Sequence, residues 1–360
     1  MKIYKKEKII QYMMKNEIIN PITNLEWFDF ITKSNNSNIF HHPSWFLVLN
    51  KTYGYKIYAA IVRDANDSII CGLPFAYVNS KITGKRILSL PFTDRCDIIC
   101  ESEAHINILF DMIKEYSDMN KCMFLELRSN KKIGLLEKNK SFLQHIINLD
   151  KDTQTIFNTF DQKSVQWGIK KSIKMGVKVK FKTDINSVTS FIHLNVQTRK
   201  KHGILPQPDK FFYNIQKYLF ENDLGFIAVA YLDDLIIAAS VFLFFNGKFS
   251  YKYNASDSSF LNYQPNNLIL WETINWAVNN GGKLFDFGRS DLSNLGLVSF
   301  KRRWGTTETP LDYYTYPVTS KFYESQKHSS WKFEAMKFTT KIMPSYACRK
   351  LGGAIYKHFA

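Results

Sequence analysis

Between Phe285 and Gly305 the chain places Asp286, Gly288, Arg289 and Ser290 at the end of a short apolar stretch, then Phe300, Lys301, Arg302, Arg303, Trp304 and Gly305. An aspartate and an arginine flanking a glycine make a polar crossing that a hydrophobic core would not choose, because buried charge without a partner is costly. A lysine there can neutralise a phosphate or an oxyanion, and an arginine can grip phosphate with two bonds. A solvated basic loop with Trp304 as core would use the same residues. His202 is the candidate general base, since an unperturbed imidazole titrates near ~6.5. Its segment, from Arg199 to Gln207, can line a cleft, although a lone histidine in a basic loop is more often structural. Lys252, on a Tyr-rich strand, can face the same cleft or snorkel to water. Asn266 and Asn267 at a helix start, and Asp94 in a turn-like stretch after Pro91, can bind a substrate or simply cap their elements.

Amide formation from an activated ester asks little of a protein. The amine must lose a proton, the tetrahedral oxyanion must be stabilised, and the reactants must be held together. No nucleophile is needed. The absence of a clear Ser/His/Asp or Cys/His arrangement therefore fits direct transfer and counts against a hydrolase.

These residues need elements to position them. At 360 residues the chain is too long for one ordinary core and fits about two domains. Strand-like stretches at 56–62 and 69–78, a helix at 106–118 and a buried strand at 122–127 make a mixed α/β unit over 1–150. A helix over 153–175, a strand at 177–182, and helices at 185–201 (N-capped by Asp184) and 211–221 open a second unit over 151–319. Strands at 225–231, 236–245 and 248–254 follow, then a helix begun by Pro265 and ended before Gly281, then a strand at 283–287. Antiparallel strands followed by strand–loop–helix–strand is the core order of a GNAT acyltransferase domain. The expected fold is thus α/β, two GNAT-like units in tandem with mostly antiparallel mixed sheets flanked by helices. A basic tail, 320–360, carries eight Lys or Arg and two Glu, with Leu351, Ile355 and Phe359 on one helical face.

Composition narrows the partners. Hydrophobic residues are 45% and charged residues 22%, a globular balance. Forty-eight Lys and Arg against 32 Asp and Glu give a net charge of +16, which favours nucleic acid, phosphorylated lipid carriers or an anionic membrane face. Seven lysines and no acid between Gln162 and Lys182 can track a nucleic-acid backbone or form a solvated face. Five irregularly spaced cysteines, with no C-x-x-C, are expected to be reduced thiols. Cys96 and Cys100 have no second pair with which to hold a metal, so no metal is expected. The basic N-terminus lacks an apolar core of signal-peptide length, and the longest largely apolar run, Leu235 to Phe245, is short of the ~20 residues that cross a bilayer. A cytoplasmic monomer, peripheral at most to the inner membrane face, is expected.

The stretch FDFGRSDLSNLGLVSFKRRWGTTETPLDYY, from Phe285 to Tyr314, resembles the C-terminal signature of Fem-like proteins, the peptidoglycan bridge-forming aminoacyltransferases and their relatives. TRKKHGILPQPDKFF from Thr198, YKYNASD from Tyr251 and QPNNLILWETINWA from Gln264 are similar to signatures of a Fem-like subfamily often associated with polysaccharide clusters. HHPSW, TYGY and LPFTDRCD in the first half look family-like too, though the family usually has His where Arg95 stands. The resemblance runs from about His41 to Pro317 and implies an active site largely in the second unit. It maps the family's active-site Phe-Lys pair onto Phe300 and Lys301. It implies an N-acyl- or aminoacyltransferase acting on an amino sugar, a lipid-linked saccharide or a peptidoglycan precursor. The activated donor would be an aminoacyl-tRNA, an acyl carrier protein or an acyl-CoA. A CoA-binding GNAT cradles pyrophosphate on backbone N–H groups of a Gly-rich loop. The corresponding stretch here, Ser256 to Asn267, has no glycine and includes Pro265, which lacks an N–H, so acyl-CoA in the usual mode is disfavoured. Aminoacyl-tRNA suits the charge better, yet no heptad run builds the coiled-coil arm that Fem ligases often carry. The competing expectation is a non-catalytic GNAT-like module binding RNA or an anionic membrane.

Overall fold

The computed structural model describes residues 14–129, 131, 133, 136, 138–317 and 337–358. The chain divides into two compact units. Unit 1 takes residues 1–141, 311–318 and 360, and unit 2 takes 142–310 and 319–359.

Unit 1 holds β1 (Lys15–Ile19), β2 (Lys56–Arg63), β3 (Ile69–Ser80), β4 (Gly84–Leu88) and β5 (Phe124–Ser129), closed by the last residues of a strand that runs Thr307–Tyr316. β1 to β4 are antiparallel neighbours in sequence order, β4 and β5 are parallel, and Asp312–Tyr316 lie antiparallel to β5. The parallel step requires a crossover, supplied by helix Glu103–Met119. Its buried Ile106, Leu109 and Ile113 join Val62, Leu73, Ile87 and Leu125 in the core. Helix Pro43–Tyr53 starts with Pro at its first turn, is capped by the His42 ring accepting from Ser44 N, and ends on Gly54 at φ +75°. Burial lowers the His42 pKa to about 4.

Unit 2 holds β6 (Lys138–Asn148, from Phe142 onward), β7 (Val177–Lys182), β8 (Gly225–Leu232), β9 (Leu235–Phe245), β10 (Lys248–Ser256) and β11 (Leu284–Asp291), in the spatial order β6-β11-β10-β9-β8-β7. β7 to β10 are antiparallel neighbours, β10 and β11 are parallel, and β6 closes antiparallel on β11. Helix Pro265–Asn279 makes the crossover and buries Leu268, Ile269, Leu270 and Ile274 against Phe226, Phe242 and Phe285. Helix Ile185–Lys201 begins where Asp184 accepts from Ser187 N at 2.9 Å. Each unit therefore shows the order expected of a GNAT domain.

Two expectations are corrected. The single helix over 153–175 is broken: helix Thr153–Asn158 stops, a π-turn covers Gln162–Gln166, and helix Trp167–Lys174 follows. Tertiary contacts cause the break. Asp161 N donates to Arg303 O at 2.8 Å, Asp161 recaps the chain through Ser164 N, and a Cβ on Gly305 would meet Thr159 Oγ1 at 2.6 Å. The five cysteines are not all thiols, because Cys71 and Cys100 form a disulfide while Cys96, Cys122 and Cys348 remain free. Gly72 and Ile99 exchange backbone hydrogen bonds of 2.9 and 3.0 Å. That makes Cys71 and Cys100 the adjacent non-hydrogen-bonded pair, the closest cross-strand position.

In the tail, helix Ser345–Ile355 packs on unit 2: its Arg349 pairs with Asp209, and Gly352 sits so close to the Pro206 carbonyl that a Cβ there would overlap it. Phe359 lies outside the described residues. No helix among the described residues is long and apolar enough to cross a membrane.

Candidate functional site

β11 holds several of the candidate residues of unit 2, and it is irregular. Asp286 sits opposite Ile146 and Arg289 opposite Gln144, so Phe287 and Gly288 together face the single residue His145. This is a β-bulge, and Gly288 at φ +71° supplies the left-handed backbone that it needs. The extra residue brings Asp286 and Arg289, three apart, onto one face of the sheet. There Gln144 Nε2 donates to Asp286 Oδ2 at 2.7 Å, Gly288 N donates to Asp286 Oδ1 at 2.7 Å, and the Arg289 guanidinium lies 4.4 Å from the Phe142 ring centroid.

The bulge also presents two consecutive carbonyls. Lys301, on helix Leu295–Arg302, is buried and donates through Nζ to Gly288 O at 2.8 Å and to Arg289 O at 3.0 Å. Asn294 caps this helix by accepting from Leu297 N, and Trp304 anchors its far end, stacked edge-on to Phe160 at 5.0 Å with its indole N–H lacking a partner. Phe300 packs half-buried against the same core, and the buried Ser290 hydroxyl has no hydrogen-bond partner.

His145 lies on the other face of β6, towards Lys301. It is fully buried, with Nδ1 3.3 Å from Thr306 Oγ1 and 3.5 Å from Glu308 Oε1, and with Nε2 unpartnered. Burial first, then the positive charge of Lys301, lowers its pKa to about 4, against the opposing pull of Glu308. The ring is therefore neutral at pH 7. A protonated imidazole beside Lys301 would repel it; a neutral one leaves the lysine as the local positive charge. Asp286 and Arg289 thus share one face of the sheet with Gln144; Ser290 and His145 lie on the other, and Lys301 meets the strand at the carbonyls of its bulge. Nothing in the sequence near Asp286 points to Gln144 or His145, since Gln144 is 142 positions away.

Known proteins resemble this chain in sequence and in fold. Residues 162–302 match the family model described as an acetyltransferase (GNAT) domain. The lipid II:glycine glycyltransferase of Staphylococcus haemolyticus (strain JCSC1435) is 27% identical over 92 residues, 24% of this chain and 22% of that protein. The protein of the same name from Staphylococcus aureus (strain MRSA252) is 20% identical across 79% of this chain and 89% of its own length. The chain is thus homologous to these glycyltransferases, and residues 162–302 form a GNAT domain. The fold agrees: the crystal structure of FemX superposes with a TM-score of 0.68 at 16% identity, covering 86% of this chain and 99% of that one. The structure of L-PGS from Bacillus licheniformis gives 0.55 at 13% identity, covering 91% and 98%.

The remaining candidates fall elsewhere. Asn266 exchanges hydrogen bonds with Ser256 Oγ at 2.9 and 3.1 Å, and Ser256 N donates to Thr198 Oγ1 at 3.1 Å. Asn267 reaches Ser164 O at 3.4 Å. These side chains tie down the loop that a CoA-binding GNAT would leave open. Pro265 has no N–H there, and Asn267 N and Leu268 N turn back to Gln264 O at 3.1 and 3.5 Å. Arg199 Nη2 donates to Tyr356 OH at 2.8 Å, while its Nε and the Oε1 of buried Gln207 lack partners. Lys252 lies 5.7 Å from the Tyr253 ring centroid. His202 caps helix Ile185–Lys201 with its backbone, and its ring is exposed. Asp94 belongs to unit 1, where its carbonyl accepts from Tyr313 OH at 2.9 Å.

Proposed function

We propose that this Fem-like chain transfers an aminoacyl group from an aminoacyl-tRNA to the amine of a lipid-linked cell-wall precursor. The observation that carries the reading is the buried Lys301 on the bulge carbonyls, at the position where the family keeps its active-site lysine. The amine nitrogen attacks the ester carbonyl, the C–N bond forms, the ester C–O bond breaks, and the amine's proton leaves with the departing hydroxyl. The charge that develops on the carbonyl oxygen is stabilised by a preorganised cation, and Lys301 and Arg289 are the two at the bulge. Asp286, fixed by Gln144 and Gly288, is the carboxylate placed to orient the attacking amine.

A tRNA donor is supported by the basic segment. Lys163, Lys170, Lys174, Lys178 and Lys180 are exposed, and Trp167, half exposed, carries Lys171 4.8 Å over its ring. Exposed aromatic and cationic side chains side by side suit a stacked, phosphate-bearing strand. The closed, proline-bearing loop at Ser256–Asn267 argues against acyl-CoA. The acceptor rests on the names of the relatives, lipid II:glycine glycyltransferases.

The test is a transfer assay with tRNA charged with individual isotope-labelled amino acids and lipid II as acceptor, read by mass spectrometry. One labelled residue added per acceptor is the expected product. Transfer from acyl-CoA but from no charged tRNA would overturn the donor, and full turnover in Lys301→Ala would overturn the site.

A further inference from the structure

Unit 1 contains a second constellation, remote in sequence from the residues above. Cys71 near the start of β3 and Cys100 after Ile99 are direct cross-strand neighbours with Cα atoms 4.5 Å apart. His105, in the first turn of helix Glu103–Met119, turns its Nδ1 to 3.7 Å from Cys71 Sγ. The three ligand atoms all lie within 4.8 Å of one another. They line one wall of a cavity of about 550 Å³, which also takes in Lys33, Asn36, Glu101 and Ser102. Both cysteines are buried, while His105 is half-buried and reachable through the cavity.

We propose that Cys71, Cys100 and His105 form a redox-gated zinc site, closed as a disulfide when oxidised and open to one Zn²⁺ when reduced. A purely structural disulfide has no use for an imidazole nitrogen facing its sulfur. Two thiolates and one imidazole, by contrast, are the donor set that tetrahedral zinc selects, and the fourth position is left to water or to Glu101 from the same cavity. The backbone supplies the preorganisation. The Gly72–Ile99 bridge fixes the two sulfurs side by side, and the helix turn fixes His105. The gating step balances. A dithiol reductant gives two electrons and two protons to the Cys71–Cys100 bond and becomes a disulfide itself. The two thiols so formed release two protons as Zn²⁺ binds, so affinity rises with pH. Nδ1 must carry the lone pair, which puts the ring proton on Nε2.

The experiment uses the full chain, reduced with a phosphine, desalted under argon and titrated with Co²⁺. About one equivalent should bind with thiolate-to-cobalt charge-transfer absorption in the near ultraviolet, be displaced by Zn²⁺, and be absent from the oxidised chain. Cys71→Ser and Cys100→Ser should each abolish the band, and His105→Ala should weaken binding by at least about tenfold. A measurement on the wild type guards against variants that misfold. Zn²⁺ should slow alkylation of Cys71 and Cys100, mapped by mass spectrometry, and leave Cys122 unchanged. A reduced chain that binds no Co²⁺, a band that survives in Cys71→Ser, or alkylation indifferent to Zn²⁺ would each overturn the proposal.

Discussion

In unit 1 the parallel pair β4–β5 and in unit 2 the parallel pair β10–β11 are each joined through a helix and each matched over three residues, Arg86–Leu88 against Phe124–Glu126 and Lys248–Ser250 against Leu284–Asp286. Beyond these ladders the two units diverge. In unit 1 the junction is stitched shut: Ser89 N donates to Glu126 O at 2.8 Å, Arg128 N donates to Ser89 Oγ at 2.9 Å, and the Arg128 guanidinium reaches Leu90 O and Thr93 O at 3.0 and 2.6 Å. Arg128 also pairs with buried Glu126 at 2.9 Å. In unit 2 the strand bulges instead, and its cation, Lys301, is held by backbone carbonyls. One topology thus serves two ends. Where charge closes on charge the junction is a structural knot; where a bulge exposes carbonyls to a cation, it is the proposed site.

This contrast can be broken or sharpened by measurement. The largest effect is expected in unit 1. Arg128→Met leaves Glu126 buried and unpaired and should cost about 3–5 kcal/mol in urea unfolding, with turnover per folded molecule unchanged. Next is Lys301→Met, which keeps the aliphatic stem and removes the charge; transfer should fall by on the order of 10²–10³-fold with a smaller loss of stability. If the two variants swapped behaviours, unit 1 would hold the site and unit 2 the knot. Third is a pH effect. The folded pKa of His145 is about 4 and its unfolded value is 6.5. Below pH ~6.5 the unfolded chain takes up a proton that the folded chain refuses, so stability is lost as pH falls towards 4, by up to about 3 kcal/mol. His145→Gln should flatten that part of the unfolding-versus-pH curve and leave the matching contribution of His42, also at about 4, in place. An unchanged curve would show that Lys301 and burial do not hold the ring neutral. The smallest effect belongs to Gly288→Ala. A side chain at φ +71° should cost about 1–2 kcal/mol and lower turnover by moving the carbonyls that Lys301 grips.

Much of the frame is legible in the sequence. Asp184, Pro265 and Gly281 mark helix ends correctly, because caps and fixed dihedrals act within a few residues. The alternation and apolar runs of β2, β3, β8 and β9 locate those strands within about two residues for the same reason. The break at Thr159–Asp161 is hidden because its cause, Arg303 O, lies far along the chain. The Cys71–Cys100 bond is hidden because a sequence separation of 29 gives no hint of register.

For the site the division is similar. The sequence by itself determined that Asp286, Gly288, Arg289 and Lys301 occur together, and a family signature gave them a chemistry. The bulge at Gly288, the shared face of Asp286 and Arg289, and the reach of Gln144 from β6 to Asp286 depend on the tertiary structure. The physical reason is range. Helix periods, caps and turn residues are set by hydrogen bonds between near neighbours. The register of β11 and the partner of Asp286 are set by β6, more than a hundred residues away, and no local pattern records them.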